Sequence, residues 1–363
     1  MSKVLKITDD LRNMILQGNF ADNKLPGERE LAIQFQCGRN TIRTVLTTLA
    51  KEGRIDRFRK KGTVIREQKN SRGNVALIMR TMGHFYEDLY ENILSRLRER
   101  KYFVNTVNTN IIFQNNFHVR PQELSALQKK IENLVNSKPE LILLHTYMKS
   151  KIPYFNELCK LNTILFGEKI DCRNLPLKGV FPDYEKAGYI GGKYLIEQGC
   201  KKPVYYPNFF DFKTHITPEL YMLHKEKMII NGFKQALIEG GINPDTSIID
   251  GCFAAQKDHR KQLVYLSTID RYMPDGFLSS DANVVFFMKK LIENCGQIPK
   301  NICFAGLFNT PWSRGEGPQN FTSIDFNTDA IADAIVQMAE TPAANRKDIY
   351  ISPELIIRER KIS

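Results

Sequence analysis

Two groups of residues carry types and spacings suited to recognition chemistry. In the first, the apolar positions Ile42, Val45, Leu46 and Leu49 recur at helical spacing, so a helix from Arg39 to about Glu52 buries them and turns Asn40, Arg43, Thr44 and Thr47 to the opposite face. That face suits base edges in the DNA major groove, where an arginine can grip guanine with two parallel hydrogen bonds. Further on, Arg59-Lys60-Lys61-Gly62 is a basic turn between the alternating runs Arg54–Phe58 and Thr63–Arg66, which are expected to pair as a hairpin. Its lysines suit phosphates or the minor groove.

The second group is spread along the rest of the chain: His84-Phe85-Tyr86, His145-Thr146-Tyr147, Phe209-Phe210, Asp281 and the single tryptophan, Trp312. Ligands of open α/β sheets sit in loops beyond the carboxyl ends of strands, which makes His84, Phe85, Tyr86, His145, Tyr147, Phe210, Asp281 and Trp312 the candidate effector residues. Phe85, Tyr86 and Phe210 either stack on a ligand or plug the space between lobes, and residue type allows both. Asp281 precedes a helix, so it caps that helix or bonds a ligand. For Asp183, in the same position before another helix, capping is the expectation. Trp312 lies in the Gly/Pro-rich loop Thr310–Gln319, where packing is the alternative role.

Catalysis is not expected. The G-x-S-x-G, H-E-x-x-H and P-loop patterns are absent, and Gly315-Glu316-Gly317-Pro318 lacks the strand-to-helix setting of a dinucleotide fingerprint. The seven cysteines are scattered, with no C-x2-C pair and no paired histidines nearby, so neither a metal site, a disulfide framework nor a cofactor is anticipated.

The elements that must position these residues follow from periodicity and charge. Val4, Ile7, Leu11, Met14 and Ile15 mark a first helix, Leu25-Pro26-Gly27 a turn, Leu31, Ala32 and Phe35 a second short helix, and Gln36-Cys37-Gly38 its end. With the helix from Arg39 and the hairpin, the order is that of a winged helix-turn-helix. The chain has 363 residues and a net charge of +12, and its first 70 residues hold 15 basic against 8 acidic side chains. A basic module thus precedes a near-neutral body, which points to a polyanion partner. After the polar linker 68–73, short apolar runs such as Val75–Met79 and Leu141–Leu144 alternate with helical stretches, giving parallel α/β layers in two lobes. The opening residues carry charges where a secretory signal would be apolar. The longest charge-free stretch, Tyr102–Val119, is rich in Asn, so no membrane span and a cytoplasmic location are expected.

The first module resembles the GntR family of winged-helix transcription factors. The resemblance rests on Leu25-Pro26-Gly27-Glu28-Arg29-Glu30-Leu31-Ala32, on Arg39-Asn40-Thr41-Ile42-Arg43-Thr44-Val45-Leu46-Thr47-Thr48-Leu49, on Glu52-Gly53 and on Lys60-Lys61-Gly62-Thr63. It implies that Arg29, Arg39, Thr41 and Arg43, with Gly62 in the wing, lie against DNA, and Asn40, Lys60 and Lys61 complete the candidate set. Gly27 and Gly38 depart from the family's capping serines, and Lys60 from its first wing glycine.

The body resembles the effector domain of LacI/GalR regulators, itself similar to periplasmic sugar-binding proteins. The landmarks are Asp183–Gly199, Asn231-Gly232-Phe233-Lys234-Gln235-Ala236-Leu237, Ser280-Asp281, Ile298–Ile302, Phe321–Ile324 and Leu355–Arg358. The expected fold is therefore α/β, an N-terminal winged helix-turn-helix followed by a two-lobed periplasmic-binding-protein-like domain, as in regulators of the arabinose-repressor type. Expected boundaries are 1–67 for the DNA-binding domain, 68–73 for the linker and 74–363 for the effector and dimerisation domain. Lobe 1 would hold about 74–181 and 322–345, and lobe 2 about 182–321 and 346–363.

By this resemblance the chain is a repressor that binds a pseudo-palindromic double-stranded operator as a homodimer and leaves it when a small sugar, a mono- or disaccharide, closes the lobes. The alternative is a sugar-binding protein or sugar-processing enzyme without regulated DNA release. Asp281 would bond effector hydroxyls. The family often places an effector-contacting arginine where this chain has Ile229, with Lys225 and Lys227 nearby, and a common acidic pair is replaced by Phe308 and Asn309.

Overall fold

A computed structural model describes residues 3–16, 20, 23–51, 54–58, 62–65, 73–110, 121–146, 152–169, 177–207, 224–247 and 273–359. The wing-tip residues Arg59, Lys60 and Lys61, linker residues 68–72, and Tyr147, Phe209 and Phe210 lie outside the described residues.

The apolar periodicities of the first module converge on one core. Helices α1 (Lys3–Leu16), α2 (Glu28–Gln34) and α3 (Arg39–Lys51) bury Ile7, Leu11, Leu31, Ile42, Val45, Leu46 and Leu49 together with Ile55. Before α2, the Gly27 N–H donates to Glu30 Oε2 at 2.9 Å, so the reach-back half of a capping box survives without a serine hydroxyl. Strands β1 (Lys24–Leu25), β2 (Ile55–Phe58) and β3 (Gly62–Ile65) form an antiparallel sheet in the order β1-β3-β2. Gly62 stands opposite Phe58 with φ +80, a conformation in which a side chain would be strained. Lys24 and Leu25 pair with Val64 and Thr63. A two-residue strand has no period to announce it.

Lobe 1 is a six-stranded sheet, parallel throughout. Its strands are β4 (Asn74–Met79), β5 (Phe103–Asn108), β6 (Leu141–His145), β7 (Thr163–Phe166), β8 (Lys178–Pro182) and β13 (Ile349–Ile351), in the order β13-β8-β7-β6-β4-β5. Side chains alternate across it. Val75, Leu77 and Met79 share a core with α4 (His84–Glu99) and α10 (Thr328–Glu340), while Ala76 and Ile78 pack toward α5 (Pro121–Asn136) and α6 (Phe155–Leu158).

Lobe 2 holds β9 (Pro203–Tyr205), β10 (Gly276–Leu278), β11 (Cys303–Leu307), β12 (Thr322–Asp325) and β14 (Glu354–Ile356), parallel except for β14. Helices α7 (Tyr184–Glu197) and α8 (His224–Glu239) cover one face and α9 (Asp281–Cys295) the other. α7 and α8 approach so closely that a Cβ on Gly188 would stand 1.9 Å from the Ile229 oxygen, and one on Gly232 1.8 Å from the Glu185 oxygen.

The chain crosses between lobes after β8, after β12 and between β13 and β14. Two of these points differ from the sequence expectation. Residues 322–325 form β12 inside lobe 2, with Ile324 paired to Leu307 on one side and Leu355 on the other. Residues 349–351 belong to lobe 1, alongside Val180–Pro182. Apolar runs identify strands, but which sheet edge a strand joins depends on contacts remote in sequence.

Candidate functional site

On the head, α3 presents Arg39, Asn40, Arg43, Thr44 and Thr47 to solvent, with Arg29 exposed on α2 and Thr41 half-buried. The exposed face is organised by one carboxylate. Glu28 Oε2 pairs with Arg43 Nε at 2.8 Å, and Glu28 Oε1 pairs with Arg57 Nη2 at 2.7 Å, tying recognition helix and wing strand together. With Nε turned to Glu28, the two terminal nitrogens of the exposed Arg43 are its remaining donors. The Thr44 and Thr47 hydroxyls donate to the carbonyls of Asn40 and Arg43 one turn earlier, at 3.1 and 2.7 Å. Arg57 and Glu28 are absent from the sequence-derived set.

Between the lobes lies a cavity of about 340 Å³. Lobe 1 contributes Arg80 and the residues from Met82 to Tyr86. Lobe 2 contributes Lys225, Ser280–Asn283, Leu307, Phe308, Thr310 and Trp312. The rings of His84 and Trp312 face each other edge-on across the cleft, centroids 6.3 Å apart. Phe85 packs on Phe308 at 5.3 Å and on Phe326 at 6.1 Å, so it both lines the cavity and plugs the lobe interface. Tyr86 is sandwiched, with the Arg80 guanidinium 4.5 Å from its centroid and the His145 ring 5.4 Å away. Phe308 adopts φ +90, unusual for a bulky residue, and carries the Lys225 ammonium 5.3 Å from its ring.

Asp281 lies almost fully buried in the cavity wall. It does not cap α9, because the cap is Ser280, whose Oγ accepts from the Asn283 N–H. Asp281 Oδ2 accepts from the Thr310 N–H at 2.6 Å and the Thr310 hydroxyl at 2.8 Å, and Oδ1 accepts from Ser323 at 2.7 Å. It thereby holds the Thr310–Trp312 loop against β12. A Cβ on Gly306 would stand 1.9 Å from Oδ1, which explains the glycine beneath it. Burial pushes this carboxyl up to about 6 against those hydrogen bonds. Asp183, by contrast, is a cap, accepting from the Lys186 N–H at 2.9 Å.

Behind the cavity sits a buried polar layer that joins the lobes. Burial pushes Glu168 up to about 7, opposed by the Lys225 charge and by a hydrogen bond from the Lys225 backbone across the lobe boundary. Glu226 accepts a short hydrogen bond from the Tyr205 hydroxyl. His145 is buried behind Tyr86, outside the cavity lining, and burial with the nearby Arg80 and Lys225 charges lowers it to about 3. Its folded value is depressed below the ordinary one near 6.5. Its contribution to stability is therefore complete above pH 6.5 and drains away as pH falls toward 3. Glu168 and Asp281 run the other way, favouring the fold at low pH and losing that contribution as pH rises through about 7 and about 6. His145→Gln is expected to make the Tm at pH 4.5 rise relative to that at pH 7, when each is compared with wild type. An unchanged difference in thermal scans would reject the assignment.

Residues 3–65 match the family described as bacterial regulatory proteins, gntR family. The head is a gntR-family DNA-binding domain. The arabinose metabolism transcriptional repressor of Geobacillus stearothermophilus is 22% identical, over 99% of this chain and 97% of that protein. The chain also resembles the transcriptional regulator CelR in complex with cellobiose, with a TM-score of 0.59 and 14% identity over 93% of this chain and all of that one. A periplasmic binding protein/LacI transcriptional regulator from Alkaliphilus metalliredigens, complexed with D-xylulofuranose, gives 0.56 and 15%, over 80% of this chain and 99% of that one. The two-lobed domain thus has the LacI-type, periplasmic-binding-protein-like fold. Among the described residues no helix is long and apolar enough to cross a membrane, and no group of three or more potential metal-ligating side chains occurs.

The structure gathers His84, Phe85, Tyr86, Asp281 and Trp312 at one cavity and sets His145 behind it. Sequence reasoning missed Arg80 and Asn283 as lining residues, and the role of Lys225. Ile229, at the family's arginine position, is fully buried and faces Gly188 of α7. Lys225 lies one helical turn earlier on the same face and lines the cavity. The signal was its i−4 spacing from Ile229.

Proposed function

We propose that this protein is a bacterial transcriptional repressor. As a homodimer it binds a pseudo-palindromic operator through its gntR heads and releases it when a mono- or disaccharide occupies the inter-lobe cavity. The observation that carries this reading is a cavity lined from both lobes, with facing aromatic rings and hydrogen-bonding groups, on the same chain as a gntR head. A ligand touching both lobes stabilises their closed arrangement, and only a difference in its affinity for free and operator-bound protein can shift DNA binding. Coupling of about 1–3 kcal/mol is typical of such systems, and operator must weaken sugar binding by the same factor. The reading places the protein in the cytoplasm with its DNA and assigns the sugar reversible binding without turnover. Arg29, Arg39, Asn40, Thr41, Arg43, Lys60, Lys61 and Gly62 are its DNA contacts. His84, Phe85, Tyr86, Asp281 and Trp312 are its effector contacts.

The only tryptophan of the chain stands in the cavity wall, so its emission reports occupancy. Titration with L-arabinose, cellobiose and D-xylulose is expected to change Trp312 fluorescence for at least one sugar. Asp281→Asn, which sets an amide N–H₂ against the Thr310 and Ser323 donors, is expected to abolish that change and leave operator binding intact. Adding the responding sugar to operator-bound protein decides the mechanism. Release supports an induced repressor, tightening reverses the sign, and no effect from a confirmed binder removes the regulatory claim. Consumption of the sugar would establish an enzyme.

A further inference from the structure

The head is held to lobe 1 by more than its linker. Arg54 lies between α3 and β2, and its side chain is only 3% exposed, a burial arginine rarely undergoes without specific partners. Its Nη2 donates to the Val104 carbonyl at 2.8 Å, and its guanidinium carbon lies 5.1 Å from the centroid of the Phe103 ring. Phe103 and Val104 open β5, the edge strand of the lobe 1 sheet. An edge strand offers backbone carbonyls to whatever can donate to them, and a guanidinium combines such donors with a flat face suited to an aromatic ring.

Each side of this contact is anchored in its own domain. The Arg54 N–H donates to the Leu49 carbonyl at 3.0 Å, and the next residue, Ile55, belongs to the head core, so the guanidinium moves with α3. On the other side, β5 pairs with β4 from Asn74↔Phe103 to Met79↔Asn108. Arg80 and Met82, just beyond β4, line the cavity. One pair of strands therefore runs from the head contact to the cavity.

We infer that Arg54 is a clasp that seats the DNA-binding head on the edge strand of lobe 1 and sets the direction of α3 relative to the effector cavity. Its consequence for operator binding rests on the function proposed above, but the docking itself is measurable without DNA or sugar. Amide hydrogen exchange on the full chain tests it. Arg54→Met keeps the apolar stem and removes the donors. It is expected to speed exchange of residues 103–106 about tenfold while the amides of α3 stay protected. Phe103→Leu perturbs the contact from the body and is expected to speed exchange at residues 54 and 55 in the head. The double variant should show no more cross-domain change than the larger single one, because both remove the same contact. Exchange that stays unchanged across the boundary in both single variants overturns the clasp. If Arg54→Met also exposes α3, the head itself has loosened, and Phe103→Leu alone decides: faster exchange at 54 and 55 supports the clasp and no change refutes it. Failure of the wild-type chain to bind any operator would overturn the DNA-binding reading and leave the exchange result standing.

Discussion

Replacing Arg43 with alanine is expected to lower operator affinity by about 1–3 kcal/mol, roughly five- to 150-fold, and to relax base preference at one position of each half-site. The expectation follows from the geometry at Glu28. A flexible arginine loses side-chain freedom when it grips a base, but here Glu28 already holds Nε, so part of that ordering is done before DNA arrives. Arg43→Lys should recover little, since an ammonium lacks the planar fork. Glu28→Ala should also weaken binding although it removes a negative charge from a DNA-facing surface, because it frees both Arg43 and Arg57. Affinities measured at one fixed salt concentration, for operator and for a scrambled duplex, separate base reading from phosphate attraction. Equal operator binding by wild type and Arg43→Ala would refute the recognition-helix assignment.

Gly232→Ala is expected to destabilise lobe 2 by about 3 kcal/mol or more, among the largest effects available to a single methyl group. The added carbon would lie 1.8 Å from the Glu185 oxygen, and Gly188 stands in the reciprocal position against the Ile229 oxygen. Backbone, unlike a side-chain tip, cannot rotate away, so α7 and α8 would have to separate and the buried Phe233 and Leu195 would lose their packing. Denaturant unfolding of the full chain measures the loss. A variant within about 0.5 kcal/mol of wild type would show that the two helices are not in such contact.

The sequence made the repeating features of this molecule legible. Ile42, Val45, Leu46 and Leu49 mark the buried side of α3 and so, by subtraction, its recognition face, and all four are buried. The continuous apolar run Val75–Met79 likewise marks a strand buried on both faces, and its residues divide between two cores. The features that escaped are those set by distant parts of the chain. Glu28 bridges Arg43 and Arg57 from another helix, and no local period links the three. The lobe bounds placed Thr322–Ile324 in lobe 1 and Ile349–Ile351 in lobe 2, the reverse of what the sheets show, because the sheet a short strand joins is set by its pairing and not by its own residues. At the cavity, the departure at Ile229 and the nearby Lys225 were legible, but not that Lys225 lines the cavity while Ile229 is fully buried, because both depend on how α8 packs.

The late crossing between lobes has a consequence for biosynthesis. Ile349–Ile351 supplies the last strand of one sheet and Glu354–Ile356 the last strand of the other, with only Ser352 and Pro353 between them. A nascent chain stopped short of this stretch carries a head whose own contacts are already local, but both sheets end in open edges at β8 and β12, which can pair with other chains. The ribosome therefore finishes the DNA-binding part first and completes both halves of the sensor almost at the same moment. A chain that ends before this stretch leaves both sheets with unpaired edges at β8 and β12, the feature by which strands join foreign chains.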